Sequence, residues 1–242
     1  MAQALYIITG SSRGLGLGLA QACLEAGHRV LGIARKQAAA LDGRAEQWPA
    51  DLSDPLPVAA RLEAWLRTQS PSDLVLINNA ALLTEPGPTD AVAPEALSEA
   101  LRVGLEAPLL LTAACLRATA DWTTSRKVVL ISSGLGRRAM AGSAPYCAQK
   151  AGLDHFARAA ALDEALKLHG ARIVSLAPGV IDTDMQVQLR SASGPGFPDR
   201  SVFADYHASG RLASPQTAAQ AVLRYVARAD FGSNPVADVR DA

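Results

Sequence analysis

The stretch that most restricts how this chain can fold is residues 4–25. Residues 4–9 (ALYIIT) are a short apolar run rich in β-formers, which predicts a strand buried on both faces. Gly10-Ser-Ser-Arg-Gly14-Leu-Gly16 follows at once, and Leu15 to Glu25 carries a helical pattern stopped by Gly27. A strand, a glycine turn and a helix in that order make a nucleotide cradle. Glycines let the backbone approach a pyrophosphate, while free N–H groups and the dipole at the helix start attract negative charge. The turn residues Gly10, Ser12, Arg13, Gly14, Leu15 and Gly16 are therefore candidate cofactor contacts. Their spacing differs from G-x-G-x-x-G: three residues separate Gly10 from Gly14, and one separates Gly14 from Gly16. A plain tight turn is the rival reading.

The second strand, residues 28–34, ends at Arg35-Lys36. An acidic residue there would grip the ribose hydroxyls of NAD. Arg35, with Arg13 as a second cation, instead suits a 2′-phosphate and predicts NADP(H); a solvated surface charge is the alternative. Residues 45–50 are a weak third strand, with Asp51 and Leu52 at its end, where an adenine ring could lie. Leu56–Leu66 reads as a helix and Asp73–Ile77 as the fourth strand. Asn78, Asn79, Ala80 and Ala81 follow it; an Asn pair here can tie strand ends together through side-chain amides, or simply mark a turn. Residues 82–93 are a Pro-containing loop, and Pro94–Ala120 is a long helical pattern interrupted by Gly104 and Pro108.

Residues 127–132 and 171–177 are the fifth and sixth strands, the latter running into Pro178-Gly179-Val-Ile181-Asp-Thr183. Residues 184–213 read as a long loop rich in Ser, Gly and Pro with isolated aromatics Phe197, Phe203 and Tyr206. A loop of that length in a compact domain is usually a lid or disordered. Pro215–Arg228 is the last helix, and Val236–Val239 a short edge strand. Strands and helices alternate, which predicts an α/β fold: one Rossmann-type, doubly wound parallel sheet of about seven strands with helices on both faces. One domain over residues 1–242, with a lid at about 184–213, fits best.

Between the fifth and sixth strands lies SSGLGRRAMAGSAPYCAQK, residues 132–150. Gly142, Ser143 and Pro145 mark a helix entrance, and the helix runs to about His169 before Gly170. Tyr146 and Lys150 sit at i and i+4, on one helix face. A tyrosine hydroxyl has a pKa of about 10, and a fixed ammonium nearby can lower it by roughly 1–3 units. Tyr146 then becomes a candidate general acid or base, with Ser133 at a strand end to hold the reacting oxygen. Tyr-x-x-x-Lys alone is a weak motif; its company decides its meaning.

Charge narrows the partners. Lys plus Arg and Asp plus Glu balance at 23 each, which leaves no footprint for nucleic acid or an acidic membrane. Four scattered histidines lack metal-ligand spacing, so no metal site is expected. Three cysteines (Cys23, Cys115, Cys147) form no CxxC pair, which suits a reducing compartment. No apolar run approaches the ~18 residues of a membrane span, and a cytoplasmic protein is expected.

The glycine turn, Asn78-Asn79-Ala80, Ser133, Tyr146, Lys150 and Pro178-Gly179 stand in one order, and in this the chain resembles the short-chain dehydrogenase/reductases over essentially its whole length. The resemblance implies that Tyr146 passes the proton, Lys150 binds nicotinamide ribose and lowers the tyrosine pKa, and Ser133 holds the substrate carbonyl. It puts Thr183 at the carboxamide, with Asn78, Ala80 and Ile181 along the cofactor. Residues 177–190 and the RLASPQTAAQAVLRYV segment are similar to benzil reductases that form (S)-benzoin and to sepiapterin reductases, which implies an NADPH-dependent reductase of ketones or vicinal diketones. Leu135, Met140 and Met185 would wall an apolar pocket for aromatic substrates; Asp238 stands where the resemblance puts an Asp that anchors a pterin amine, with an ordinary edge-strand carboxylate as the alternative. Rival readings are a pteridine reductase and a dinucleotide-sensing protein without turnover. One departure stands out: Gly104 occupies the place of an Asn that in the family holds a water against the lysine, and a glycine inside a helix costs about 1 kcal/mol relative to alanine. The family often pairs through the helices at about 94–120 and 145–169, so a homodimer or homotetramer is expected by resemblance.

Overall fold

A computed structural model describes residues 3–192 and 196–241. Seven strands form one sheet: β1 (Leu5–Thr9), β2 (Arg29–Ala34), β3 (Glu46–Pro49), β4 (Asp73–Asn78), β5 (Ser125–Ile131), β6 (Arg172–Ala177) and β7 (Val236–Asp238). Their order is β3-β2-β1-β4-β5-β6-β7, and every pairing is parallel. The helices are α1 (Gly14–Glu25), α2 (Pro55–Leu66), α3 (Pro94–Leu101), α4 (Ala107–Ala118), α5 (Ala144–Ala165), α6 (Asp184–Ser191), α7 (Arg200–Ala208) and α8 (Pro215–Ala227). This is the Rossmann-type doubly wound sheet expected from the alternation of elements.

Alternation along each strand builds a core on both faces. Ile7, Leu31, Leu76 and Leu130 pack with Leu62 of α2, Leu111 of α4 and Leu153 of α5. Ile8, Ile77, Val129 and Val174 pack on the opposite face with Leu19 of α1 and Val222 of α8. Each such side chain, wholly buried, stabilises the fold by about 1.5–3 kcal/mol relative to exposure. Both faces are covered, which is why the strands read as continuous apolar runs. Strand order reverses between β1 and β4, and a crevice opens beyond the carboxyl ends of such strands at that switch point.

Three regions depart from the sequence expectation. The expected loop at 184–213 is not one where it is described: it carries α6 and α7, and residues 193–195 lie outside the described residues. Thr183, extended, precedes α6, and Asp184 in the first turn complements the helix dipole. The aromatics hold α7 in place: Phe197 and Phe203 stack at 5.6 Å, and Tyr206 meets Phe203 edge-on at 6.2 Å. Helices α3 and α4, in turn, are not broken at Gly104 but joined by a π turn over Arg102–Glu106, in which the Ala107 N–H bonds to the Arg102 carbonyl. Helix α5 also stops earlier than expected, at Ala165.

Candidate active site

Strand β5 delivers Ser132 and Ser133 to the carboxyl edge of the sheet, and Ser143 and Pro145 start α5 beside them. Lys150 is 2% exposed; its Nζ donates to the Ile131 carbonyl at 2.7 Å and stands 5.4 Å from the centre of the Tyr146 ring. The Ser133 hydroxyl accepts from the Leu135 N–H at 3.2 Å and also interacts with the Tyr146 hydroxyl. Ser133, Tyr146 and Lys150 are thus brought together.

Their protonation departs from the sequence expectation. Burial pushes the Tyr146 hydroxyl up to about 12, and the Ser133 contact draws it back only in part. Burial likewise depresses Lys150 to about 8, against an opposing pull from Asp154. Desolvation of the phenolate, rather than the charge of Lys150, therefore sets the direction of the Tyr146 shift.

Asp154, one turn beyond Lys150, was not singled out from the sequence. It is buried, and its Oδ1 accepts from Ser132 Oγ at 2.6 Å and Ser175 Oγ at 2.7 Å, while Arg137 Nε lies 3.4 Å from Oδ2. It joins α5 to β5 and β6 directly beneath Ser133. The i, i+4, i+8 spacing of Tyr146, Lys150 and Asp154 is the signal that could have found it. Gln149, wholly buried, was also missed.

The glycine turn fits a dinucleotide. Gly10 and Gly14 take φ of +68° and +53°, in the left-handed region open to glycine, and a Cβ on Gly16 would overlap the Gly10 carbonyl. Thr183 closes the far side, its methyl 3.5 Å from where a Gly14 Cβ would stand. Ser12 and Arg13 lie at the mouth; Arg13 ion-pairs with Asp184 at the start of α6, both side chains largely exposed. Leu15 buries its side chain in the core and leaves only backbone at the turn.

Arg35 is exposed beyond β2, next to the same crevice. Asp51 accepts from the Ser53 N–H at 2.9 Å, which holds its carboxyl below the usual range; Leu52 is packed into the core. The Asn pair divides its work. Asn79 Nδ2 donates to the Thr9 carbonyl at 2.9 Å, and the N–H groups of Asn79 and Ala80 reach Thr9 Oγ1, which ties β4 to β1; Asn78 Nδ2 reaches Thr112 Oγ1 on α4 at 3.1 Å. Pro178 and Gly179 follow β6, Gly179 with φ of +84°, and Ile181 pairs with Ala213.

Leu135, Met140 and Met185 gather in one apolar cluster with Tyr146, Leu189, Phe197 and Phe203. Asp238 does not offer the free carboxylate expected of it. Arg240 takes both its oxygens, at 2.8 and 2.6 Å, so the group is already paired. Among the described residues no cluster of His, Cys, Asp and Glu could hold a metal ion, and no helix is long and apolar enough to cross a membrane.

The sequence pattern of the short chain dehydrogenases matches residues 4–194. A benzil reductase ((S)-benzoin forming) of Bacillus cereus is 31% identical over 240 residues, covering 95% of this chain and 96% of the relative. A short-chain dehydrogenase/reductase of Burkholderia vietnamiensis superposes with a TM-score of 0.68 at 35% identity, over 99% of this chain and 98% of that one. A Beutenbergia cavernae protein whose description reads "putative NAD(P) dependent gluconate 5-dehydrogenase", solved with NADP at low occupancy, superposes with a TM-score of 0.79 at 26% identity, over 99% and 96% of the two chains.

Proposed function

The chain belongs to the short-chain dehydrogenases, and from that premise we propose that it is an NADPH-dependent reductase of aromatic ketones and vicinal diketones of the benzil type. The observation that carries this reading is the convergence of Ser133, Tyr146 and Lys150 beneath an apolar, aromatic-lined cluster at the crevice of the sheet. The likeness to a benzil reductase over nearly the full length of both chains supports the substrate class.

Bound NADPH supplies the hydride. Ser133 and Tyr146 donate hydrogen bonds to the substrate carbonyl oxygen and stabilise the charge that develops on it. Tyr146 then gives its proton to that oxygen, becoming a phenolate that Lys150 stabilises as an ammonium. A hydroxyl held near 12 keeps its proton at neutral pH, so it is a standing donor. Gly10, Gly14 and Gly16 with the start of α1 hold the pyrophosphate, Arg35 and Arg13 the 2′-phosphate, and Thr183 the carboxamide end. Asn78, Asn79, Ala80, Pro178, Gly179 and Ile181 line the cofactor's path. The α6–α7 segment acts as the lid that excludes water. Leu162 (71% exposed), near the end of α5, and Leu166 (88%), just past it, form an apolar strip on which a second copy pairs to give a homo-oligomer.

NADPH oxidation measured side by side on benzil and sepiapterin tests the reading. Faster turnover of benzil supports it. Faster turnover of sepiapterin would overturn the substrate class, and inertness toward every diketone tried would overturn the reductase itself. The paired state of Asp238 favours the benzil reading over the pteridine one, since Arg240 occupies the carboxylate that would anchor a pterin amine.

A further inference from the structure

Gly104 and Gln149 fit each other. A Cβ at position 104 would overlap the Oε1 and Cδ of Gln149 and stand 3.1 Å from its Cγ, so the Gln149 amide occupies the space a larger residue would need. Gln149 is 0% exposed and follows Tyr146 by three residues and precedes Lys150 by one, so its backbone belongs to the same turn of α5. Its Nε2 donates to the Leu82 carbonyl at 3.2 Å, just past the Asn pair that ends β4. Its Oε1 is buried, and among the described residues no donor reaches it. An unmatched buried acceptor costs about 1–3 kcal/mol, so this one calls for a donor.

Pro108 has no N–H, so the chain leaves the i+4 pattern near Gly104 and takes the π turn there. The unmatched Gln149 Oε1 lies against Gly104 of that turn, on the turn of α5 that carries the reactive hydroxyl and the ammonium. A water, with O–H donors for the amide oxygen and an acceptor lone pair for an ammonium, is the smallest partner that matches it.

We propose that Gln149 is a positioning residue for the Tyr146–Lys150 pair. Its amide, seated on Gly104, fastens this turn of α5 to the π turn and to Leu82, and its carbonyl oxygen holds a water to which Lys150 donates. The proton that leaves Tyr146 for the substrate oxygen is replaced from the Lys150 ammonium, and the lysine recovers its own from that water and the solvent behind it. The role in turnover rests on the reductase reading above; the amide's hold on Lys150 does not.

Three variants test this: Gln149→Leu, which keeps the volume and removes the amide; Gly104→Asn, which displaces it; and Gly104→Asn with Gln149→Ser, which returns an amide from the opposite side. Each single change should lower kcat by about 10-fold or more, and the double variant should recover to within about 3-fold of the parent, the non-additivity expected of a shared role. In Gln149→Leu the alkaline limb of kcat should move down by about half a pH unit or more, because the ammonium has lost an acceptor. The pH at which NADPH affinity declines, read from nucleotide fluorescence, should move the same way. A Gln149→Leu protein with the parent's kcat and both parental pH profiles would overturn the proposal, as would a double variant no better than the product of the two singles. If the parent reduces no ketone, the reductase reading fails alone, and the binding profile of Gln149→Leu still decides whether the amide governs Lys150. Melting curves of all variants separate these outcomes from loss of fold.

Discussion

The Lys150 ammonium stands 5.4 Å from the centre of the Tyr146 ring and donates a hydrogen bond to the Ile131 carbonyl. The two groups face each other, yet each is shifted by burial toward its neutral form, Lys150 to about 8 and Tyr146 to about 12. The tyrosine therefore keeps its proton across the neutral range, while the lysine loses its charge near pH 8. Since kcat/KM reports the free enzyme, its value for NADPH should be level below about pH 8 and fall about tenfold per unit above it. A spectrophotometric profile level to pH 10 would refute the assignment.

Lys150→Met should separate chemistry from stability. A lysine depressed from about 10.4 to 8 weakens the fold by roughly 3 kcal/mol below pH 8, an amount partly offset by its bond to Ile131. Between those pH values the unfolded chain binds the extra proton, so the Lys150 contribution to stability grows as pH rises. The methionine variant should lose at least about 100-fold in turnover, melt within about 4 °C of the parent at pH 7, and lack that rise. Thermal scans at pH 7 and pH 9.5 check it.

Tyr146→Phe removes one oxygen and leaves the ring in its apolar surroundings. Reduction should fall by about 10²–10⁴, the usual worth of a positioned acid, with NADPH affinity kept. Stopped-flow turnover and fluorescence titration measure the two separately, and retained turnover would exclude the proton role.

Asp154→Ala strips the Ser132 and Ser175 hydroxyls of their shared acceptor and leaves Arg137 without its carboxylate. It should cost about 2–4 kcal/mol and lower the melting temperature by about 5–15 °C. Asp154→Asn keeps the shape and should cost less. Because the Asp154 charge supports protonated Lys150, both variants should bring the alkaline limb of the pH profile to lower pH.

Arg35→Asp replaces a cation with the acid that grips ribose hydroxyls. The preference for NADPH over NADH should fall by about 10- to 100-fold, read as the ratio of kcat/KM for the two. An unaltered ratio would assign the 2′-phosphate to other groups.

Much of the frame is legible in the residues themselves. Strand runs such as LYIIT and the glycines after β1 carry local signals, and so do the helix entrance before Tyr146 and the i, i+4 step to Lys150. What escaped depends on contacts distant in sequence. Helices α6 and α7 hide among Ser, Gly and Pro because their order comes from Phe197, Phe203 and Tyr206 packing together. The rise of the Tyr146 pKa is set by how much water the fold removes, which no spacing reveals. Gly104 looked like a flaw in a helix until Gln149, 45 positions later, filled the space above it. Asp238 showed its charge in the sequence but not its partner Arg240 two residues on, because that pairing turns on side-chain direction.

The Arg13–Asp184 ion pair spans the gap between the glycine turn and α6 with side chains 69% and 73% exposed. A contact so open to solvent contributes about 0–1 kcal/mol and weakens further as salt rises. It therefore latches the mouth of the crevice without sealing it. On the proposed reading, a 2′-phosphate bound at Arg13 would compete with Asp184 for that guanidinium, and cofactor entry would then loosen the start of α6.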